Sequence, residues 1–558
     1  MKSCLLIGGI CAISLNTSIA QEQKGITFSG CIQSDILIPQ ADQEIEAEKT
    51  GDFLMNTYAD LMVQSRHIDA GARLEYMEHP LPGFENDFKG WGIPHFWMKS
   101  KFKNAELTLG TFYEQFGSGF VLRSYEERSL GIDNSLLGAK LQWKPMEGIV
   151  IKALSGCQRR YWEWNKSLIS GLDAELGLSQ FSSPMKEKGV NLSLCASWVN
   201  LYENSKEKVY ADASHYVNLP KFVNAWDLRA ALDYRAWNIL LEYSRKTDNP
   251  SYANGYIFRK GTAVMLSASY SLNGFSMLLQ AKRSEDFSFK STTDADKTMG
   301  LSSSINHMPA FTQEHTYTLA ALYPYATQMA DGEWAYQGEI AYHFRPHTTL
   351  GGMYGMNIKA NLSYIRAIKR SFINGNEYNT LSGTIDLAGT DGYETSFFGW
   401  GDQTYYQDMN IQLSRRISKS FKLNLMYMNQ RYNMTVIEGH GGMINSNIFI
   451  ADGKYQVSPK VTLRGELQYL TTAEDKGDWL YALMELSLVP HWMITISDLY
   501  NAGETKTHYY QGFVTFSYSS HRLQLGYGRT KAGFNCSGGV CRYVPASKGL
   551  SLAYQYHF

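Results

Sequence analysis

GLSLAYQYHF, Gly549 to Phe558, carries an apolar or aromatic residue at every second place: Leu550, Leu552, Tyr554, Tyr556 and Phe558. A period of two marks a β-strand with one apolar face. Terminal residues of soluble domains are usually frayed and polar, so an aromatic ending asks what that face meets. The rest of the chain decides between a protein core and lipid.

The same alternation recurs upstream. In HIDAGARLEYME, Ile68, Ala70, Ala72, Leu74 and Tyr76 form one face and Asp69, Gly71, Arg73 and Glu75 the other. WDLRAALDY sets Trp226, Leu228 and Leu232 against Asp227, Arg229 and Asp233, and VTLRGELQYL sets Leu463, Leu467 and Tyr469 against Arg464 and Glu466. A soluble sandwich and a membrane barrel both show this pattern. The connections separate them. Tight turns such as SRH (Ser65 to His67), LNG (Leu272 to Gly274), RPH (Arg345 to His347) and SPK (Ser458 to Lys460) alternate with long polar loops such as 40–52, 201–223 and 367–402. That rhythm matches outer-membrane barrels, with short periplasmic turns and long extracellular loops. Of 14 prolines only Pro94 falls within a predicted strand, near its start, as expected of a residue that removes a ladder donor.

The start of the chain agrees. Lys2, the apolar run Leu5 to Leu15 and the small residues Ser18 and Ala20 predict a signal peptide over residues 1–20; Cys11 follows the bulky Ile10, which weakens a lipoprotein reading. No later stretch reaches the roughly 20 apolar residues of a spanning helix. A net charge of −1 gives no electrostatic reason to bind nucleic acid. Aromatics at 13%, including 37 tyrosines, suit the girdles of a barrel. The predicted fold is therefore all-β: a transmembrane antiparallel barrel over residues 21–558, of about 24 strands (roughly 22 to 26), with a loop-filled lumen, in the outer membrane of a Gram-negative bacterium. Residues 284–332 are the uncertain stretch, because HTYTLAAL (His315 to Leu322) reads as an added strand, an extracellular hairpin or a segment folded into the lumen. The alternation of Tyr554, Tyr556 and Phe558 resembles the signal recognised by the barrel assembly machinery.

Seven cysteines include Cys4 and Cys11 in the leader. Cys536 and Cys541, in FNCSGGVC, are expected to form a disulfide in the last extracellular loop; zinc is the weaker reading, with no second ligand pair nearby. Cys31, Cys157 and Cys195 lie in strands and read as packing residues. No nucleophile elbow, metalloprotease helix or phosphate-binding loop occurs, and His307, His315, His343 and His347 read as solvated rim residues. No catalytic, cofactor-binding or metal-ligating set is predicted, and the protein is not expected to be an enzyme.

One loop stands out: Tyr113 to Gly138, between predicted strands five and six. Gly117 and Gly119 permit sharp turns, and Arg123, Tyr125, Glu126, Glu127 and Arg128 concentrate charge. Its position suggests a constriction folded into the lumen, against the blander reading of a surface loop held by weak ion pairs. Asp69, Arg73, Glu75, Asp227, Arg229, Asp233, Arg464 and Glu466 are the candidate lumen wall.

FYEQFGSGFVLRSYEERSLGIDNSL (Phe112 to Leu136), NHMPAFTQEHTYTLAALYPYATQ (Asn306 to Gln328) and GGVCRYVPASKGLSLAYQYHF (Gly538 to Phe558) resemble an uncharacterised, porin-like family of large Bacteroidota outer-membrane proteins. The resemblance runs through nearly the whole mature chain and implies location and fold, with no activity to transfer. Two functions remain open: a porin-like channel or transporter for small polar solutes, or a loop-plugged scaffold in outer-membrane lipid that binds a surface lipoprotein or secreted partner.

Overall fold

The computed structural model describes residues 25–204, 208–293, 302–373, 375 and 387–558. The expected leader, residues 1–20, lies outside the described residues. Strands neighbouring in sequence pair antiparallel in turn, and the first, Ile26–Pro39, pairs with the last, Ser547–His557, from Cys31 opposite His557 to Pro39 opposite Gly549. The ring closes as an antiparallel barrel of 24 strands, matching the sequence estimate. Closure leaves no open edge, which a sheet in hydrocarbon cannot tolerate because each unpaired backbone group there costs several kcal/mol.

The period of two sorts the side chains as expected. Leu228 and Leu467 on the outer face are 59% and 66% exposed, while their neighbours Asp227 and Glu466, facing in, are 1% and 4% exposed. No helix among the described residues is long and apolar enough to cross a membrane. Aromatic pairs mark the short-turn rim: Trp237 with Tyr270, Trp492 with Phe516, and His521 with Tyr556, at ring separations of 4.9, 4.7 and 4.3 Å. Pro94 sits at a bulge, where Arg73 pairs with His95 but Glu75 pairs with Gly92; the extra residue excuses the missing donor.

Two sequence readings need correction. The RPH turn is longer than read: strands end at Phe344 and resume at Met356. Much of 367–402 is wall rather than loop, since the strands Met356–Phe372 and Tyr393–Arg416 pair as far as Phe372 with Tyr393 through several register shifts. Those shifts and the glycines of FFGWG hide the alternation. Of the three readings of HTYTLAAL the structure takes the last, a segment folded into the lumen: it forms no strand, and Leu319 and Ala320 are buried inside the barrel. Its neighbours 294–301 lie outside the described residues.

Burial along the inner face is uneven. In Phe275–Glu285 the inward residues Ser276, Leu278 and Gln280, near the short-turn rim, are half-buried, whereas Lys282 and Ser284 are fully buried. Phe222–Tyr234 runs the other way and shows the same gradient, from Val223, Ala225 and Asp227 (buried) to Asp233 (exposed). Water reaches the lumen from the short-turn end; the long-loop half is filled.

At the closing seam the Phe558 ring sits over Gly30. A Cβ built on Gly30 would lie 2.3 Å from that ring. Gly30→Val is therefore expected to unseat Phe558 at a cost of about 1–3 kcal/mol, read as a lower temperature at which the folded barrel loses its fast mobility on a semi-native gel. An unchanged transition would show that the seam does not depend on this contact.

Candidate functional site

Two loops fill the long-loop half. The first, 113–135, joins strands Ala105–Phe112 and Leu136–Trp143. It folds on itself as two small ladders, Gln115–Phe116 with Leu122–Arg123 and Glu126–Glu127 with Ile132–Asp133. The second, 286–332, joins Phe275–Glu285 to Glu333–Phe344. Arg123 N–H donates to Ile305 O (2.8 Å), His307 N–H to Gly119 O (3.0 Å), and the Asn306 amide to Phe120 O and Phe287 O (3.1 and 2.8 Å). The two loops are thereby one plug. Phe116, Phe120, Val121, Leu122, Phe287, Phe289, Ile305 and Met308 form its centre and pack on inward wall residues such as Ile169, Val199, Ala225, Met428, Ile448 and Leu470 in one apolar cluster.

Charge fastens the plug on the side of strands Leu54–Ser65 and Ile68–Met77. Arg73 donates to Asp60 (2.6 Å) and, with two nitrogens, to Glu126 (2.7 and 3.1 Å). Arg128 reaches Glu126 (2.8 Å), Asp60 (3.3 Å) and Gln33 (2.8 Å) and stacks 4.3 Å from the Tyr58 ring. More fully buried, Arg159 bridges Glu75 (2.7 Å) and Asp133 (2.5 Å), and His95 Nε2 lies 2.6 Å from Asp133. Burial alone would raise the Asp133 carboxyl, but Arg159 and His95 outweigh it and hold it well below the usual carboxylate range. Glu114 is likewise raised by burial and then lowered, past its ordinary value, by Lys140 (3.1 Å) and Lys152 (3.0 Å).

The glycines of the first loop have defined tasks. Gly117 (φ 54°) and Gly119 (φ 100°) lie in the left-handed region that favours glycine. A Cβ on Gly117 would stand 2.2 Å from an Arg229 nitrogen and 2.8 Å from Glu242. The loop tip presses on that wall cluster, where Ser118 N–H donates to Glu242 (3.2 Å), Ser244 to Asp227 (2.7 Å) and Arg229 to Asp173. Glu127 instead caps its own turn, accepting from the Ser129 N–H and hydroxyl, and Arg123 lies over the Tyr125 ring at 4.4 Å.

The second loop meets the opposite wall. His315 Nε2 lies 2.6 Å from Asp408, Tyr317 donates to Asp452 (3.3 Å), and Leu319 N–H donates to Gln468 (2.8 Å). Arg464 pairs with Asp452 (3.0 Å) and Glu466. Lys282 pairs with Glu333 at 2.8 Å, both fully buried. His307 and His315 are thus not solvated rim residues: both are buried in the plug, and burial, with Arg123 and Lys282 nearby, pushes His307 down to about 3. His343 and His347 are exposed, as expected.

Of the candidate wall residues, Arg73, Glu75, Asp227, Arg229, Arg464 and Glu466 surround the plug. Asp69 pairs apart with Lys101 (2.7 Å), and Asp233 stands at the short-turn rim beside Asn238. Sequence reasoning missed Asp60, His95, Asp133, Arg159 and Glu242. Asp60 and Glu242 sit at inward positions of their strands, so the alternation could have found them; His95 is displaced by the bulge at Pro94. Among the described residues Glu75, His95 and Asp133 come close enough together to suggest a cation site. The Arg159 guanidinium, bonded to both carboxylates, already supplies the positive charge there.

Outside the plug, the hairpin Gly533–Ser537 and Val540–Val544 carries the expected disulfide, Cys536–Cys541; Cys31, Cys157 and Cys195 are free. It lies over both loops. Gly538 N–H donates to Glu314 (2.6 Å), Thr327 N–H to Gly539 O (2.9 Å), and Asn535 to Ser129 O (3.3 Å). Arg542 pairs with Glu85 (2.9 Å) and sits against Gly131, whose Cβ would come within 2.5 Å of it.

Solved structures with which the chain aligns include the siderophore receptor PirA of Pseudomonas aeruginosa (9% identity, 95% of this chain and 80% of that one, TM-score 0.39). They also include a mutant of the ferric enterobactin receptor PfeA of the same species (8%, 95% and 80%, 0.43) and OccAB3 of Acinetobacter baumannii (7%, 96% and 99%, 0.33). The barrel itself rests on the strand pairing above. No curated protein matches the sequence. Over residues 1–558 the chain matches the model of a family of unknown function, DUF6029, and it belongs to that family.

Proposed function

We propose that the protein is a gated outer-membrane transport barrel, closed at rest by its own loops, that passes small polar solutes when the plug yields. One observation carries this reading: a two-loop plug fills the long-loop half of the lumen, tied to inward charges of the wall, while the short-turn half stays hydrated. In this reading the short turns face the periplasm and the apolar outer face meets outer-membrane lipid. Tyr554, Tyr556 and Phe558, which face outward on the closing strand, are what the assembly machinery would read. The charged loop residues Arg123 to Arg128 act less as an open constriction than as the bolt of the gate, because Glu126 and Arg128 are bonded to Arg73, Asp60 and Gln33. Both signs of charge flank the plug, which favours weak ion selectivity once it opens.

A second reading, a surface scaffold for a lipoprotein or secreted partner, draws support from the extended pair Met356–Phe372 and Tyr393–Arg416. There Phe398 is 81% exposed next to Phe397 and Trp400.

Planar-bilayer conductance separates these readings. The refolded wild type is expected to be silent or to open rarely, and deletion of Arg123 to Arg128 to give frequent, stable steps; steady ohmic steps from the wild type would sink the closed-at-rest gate. Cys536→Ser with Cys541→Ser loosens the hairpin over the plug and is expected to raise opening frequency severalfold, with the fold checked by gel mobility. Acidification gives a third test. Glu114 and Asp133 have folded values below their unfolded ones, so their contribution is present at neutral pH and lost as pH falls through the folded values. Closure should persist from pH 8 to about 5 and weaken below about 4, the ordinary carboxylate range, with Glu114 titrating before Asp133. Opening on a rise in pH from 5 to 8 would contradict this anchoring.

A further inference from the structure

At the long-loop rim, the loops 40–53 and 78–89 and the stapled hairpin enclose a cavity of about 1040 Å³. It is separate from the ion pairs that bolt the plug to the wall. Pro80, Pro82, Phe84, Phe534 and Tyr543 supply flat apolar faces, with Phe534 and Tyr543 in edge contact at 5.7 Å. Three carboxylates also line it: Glu85, which is paired with Arg542, and two others, Glu46 and Glu48. Neither meets a cation among the described residues, whereas the arginine of the same cavity, Arg542, is committed to Glu85, and nearby Lys49 to Asp52. The cavity is therefore apolar in body and anionic in balance.

We propose that this cavity is a capture site for an organic cation with an aromatic or apolar body; the assignment rests on the transport reading and names the solute class for it. A cationic nitrogen would sit between Glu46 and Glu48 and the ring faces of Phe534 and Tyr543, the arrangement in which carboxylate attraction and cation–π attraction add. The proline and phenylalanine faces cover the rest of the ligand, and the volume suits one of drug size. The hairpin is the shared wall: Phe534 and Tyr543 face the cavity, while Gly538 and Gly539 bond the plug at Glu314 and Thr327. A captured solute thus rests against the element that lies over the gate.

The test is isothermal titration of the full chain, refolded in detergent, with phenylalanyl-arginine amide as the cationic probe and N-acetyl-phenylalanyl-glutamate as an anionic one of similar size. The cationic peptide is expected to bind, to bind about fivefold to tenfold more weakly to the Glu46→Gln, Glu48→Gln double variant, as two exposed charge pairs allow, and to bind more weakly to Phe534→Ala. The anionic peptide should give no heat. Gel mobility confirms that each variant remains a folded barrel. No binding of the cationic peptide at millimolar concentration, undiminished binding by the double variant, or equal binding of the anionic peptide would overturn the site. Because binding is read without conductance, a barrel that stays silent even after deletion of Arg123 to Arg128, with intact, charge-dependent binding in the full chain, supports the site and counts only against transport. A gated barrel that does not bind counts only against the site.

Discussion

A ring of 24 strands encloses more space than its own inward side chains can fill. Small barrels of about eight strands close their interiors with wall residues, whereas barrels of about 22 strands hold a plug. Here the filling comes from connections between strands, and much else in the structure follows from that geometry. The loop 113–135 and the described part of 286–332 re-enter the lumen, and the first does so by sharp bends that the left-handed Gly117 and Gly119 allow. Once inside, they need an apolar centre of their own, supplied by Phe116, Phe120, Phe287 and Phe289, all fully buried.

The plug also changes what the wall residues experience. An inward arginine or glutamate that faced water in an empty lumen is desolvated when a loop seats against it, and an unpaired buried charge is costly. The polar contacts answer that cost: Arg159 with Glu75 and Asp133, Lys282 with Glu333, and the Lys140 and Lys152 pair around Glu114. Removing one partner of such a pair costs about 3–5 kcal/mol, so the plug's seating is sensitive to single charge changes in a way that the lipid-facing wall is not.

The alternation of period two made the barrel legible, and it placed Arg73, Glu75, Asp227, Arg229, Arg464 and Glu466 on the inner face because a strand fixes the direction of each side chain from its neighbours alone. Loops carry no such period. The burial of His307 and His315 depends on residues such as Tyr125 and Asp408 that are remote in sequence, which no local pattern records. Even within strands, legibility ends where the ladder shifts. Pro94 moves His95 relative to Glu75, and the shifts near Arg366, Ile368 and Arg370 turn a long wall strand into what reads as loop. The disulfide was legible because its two cysteines are close in sequence; the hairpin's position over the plug was not, since Glu314 and Thr327 lie more than 200 residues away.

The two sides of the plug differ physically, and the difference bears on how a gate of this kind can move. Toward strands Leu54–Ser65 and Ile68–Met77 the contact is ionic: Arg73, Asp60 and Arg128 exchange one set of hydrogen bonds for hydration if the loop withdraws. Toward Ile169, Val199, Met428, Ile448 and Leu470 the contact is mainly apolar, and withdrawal would expose that surface to water at about 25 cal/mol per Å² in addition to parting the bonds of His315, Tyr317 and Leu319 to Asp408, Asp452 and Gln468. The ionic side is the one that can part and re-form with the smaller net change, because water replaces what the ion pairs provided. A passage beside Arg73 and Asp60 would leave the apolar side of the plug in place, and it would begin at the hydrated short-turn half, where Asp60 is already partly exposed.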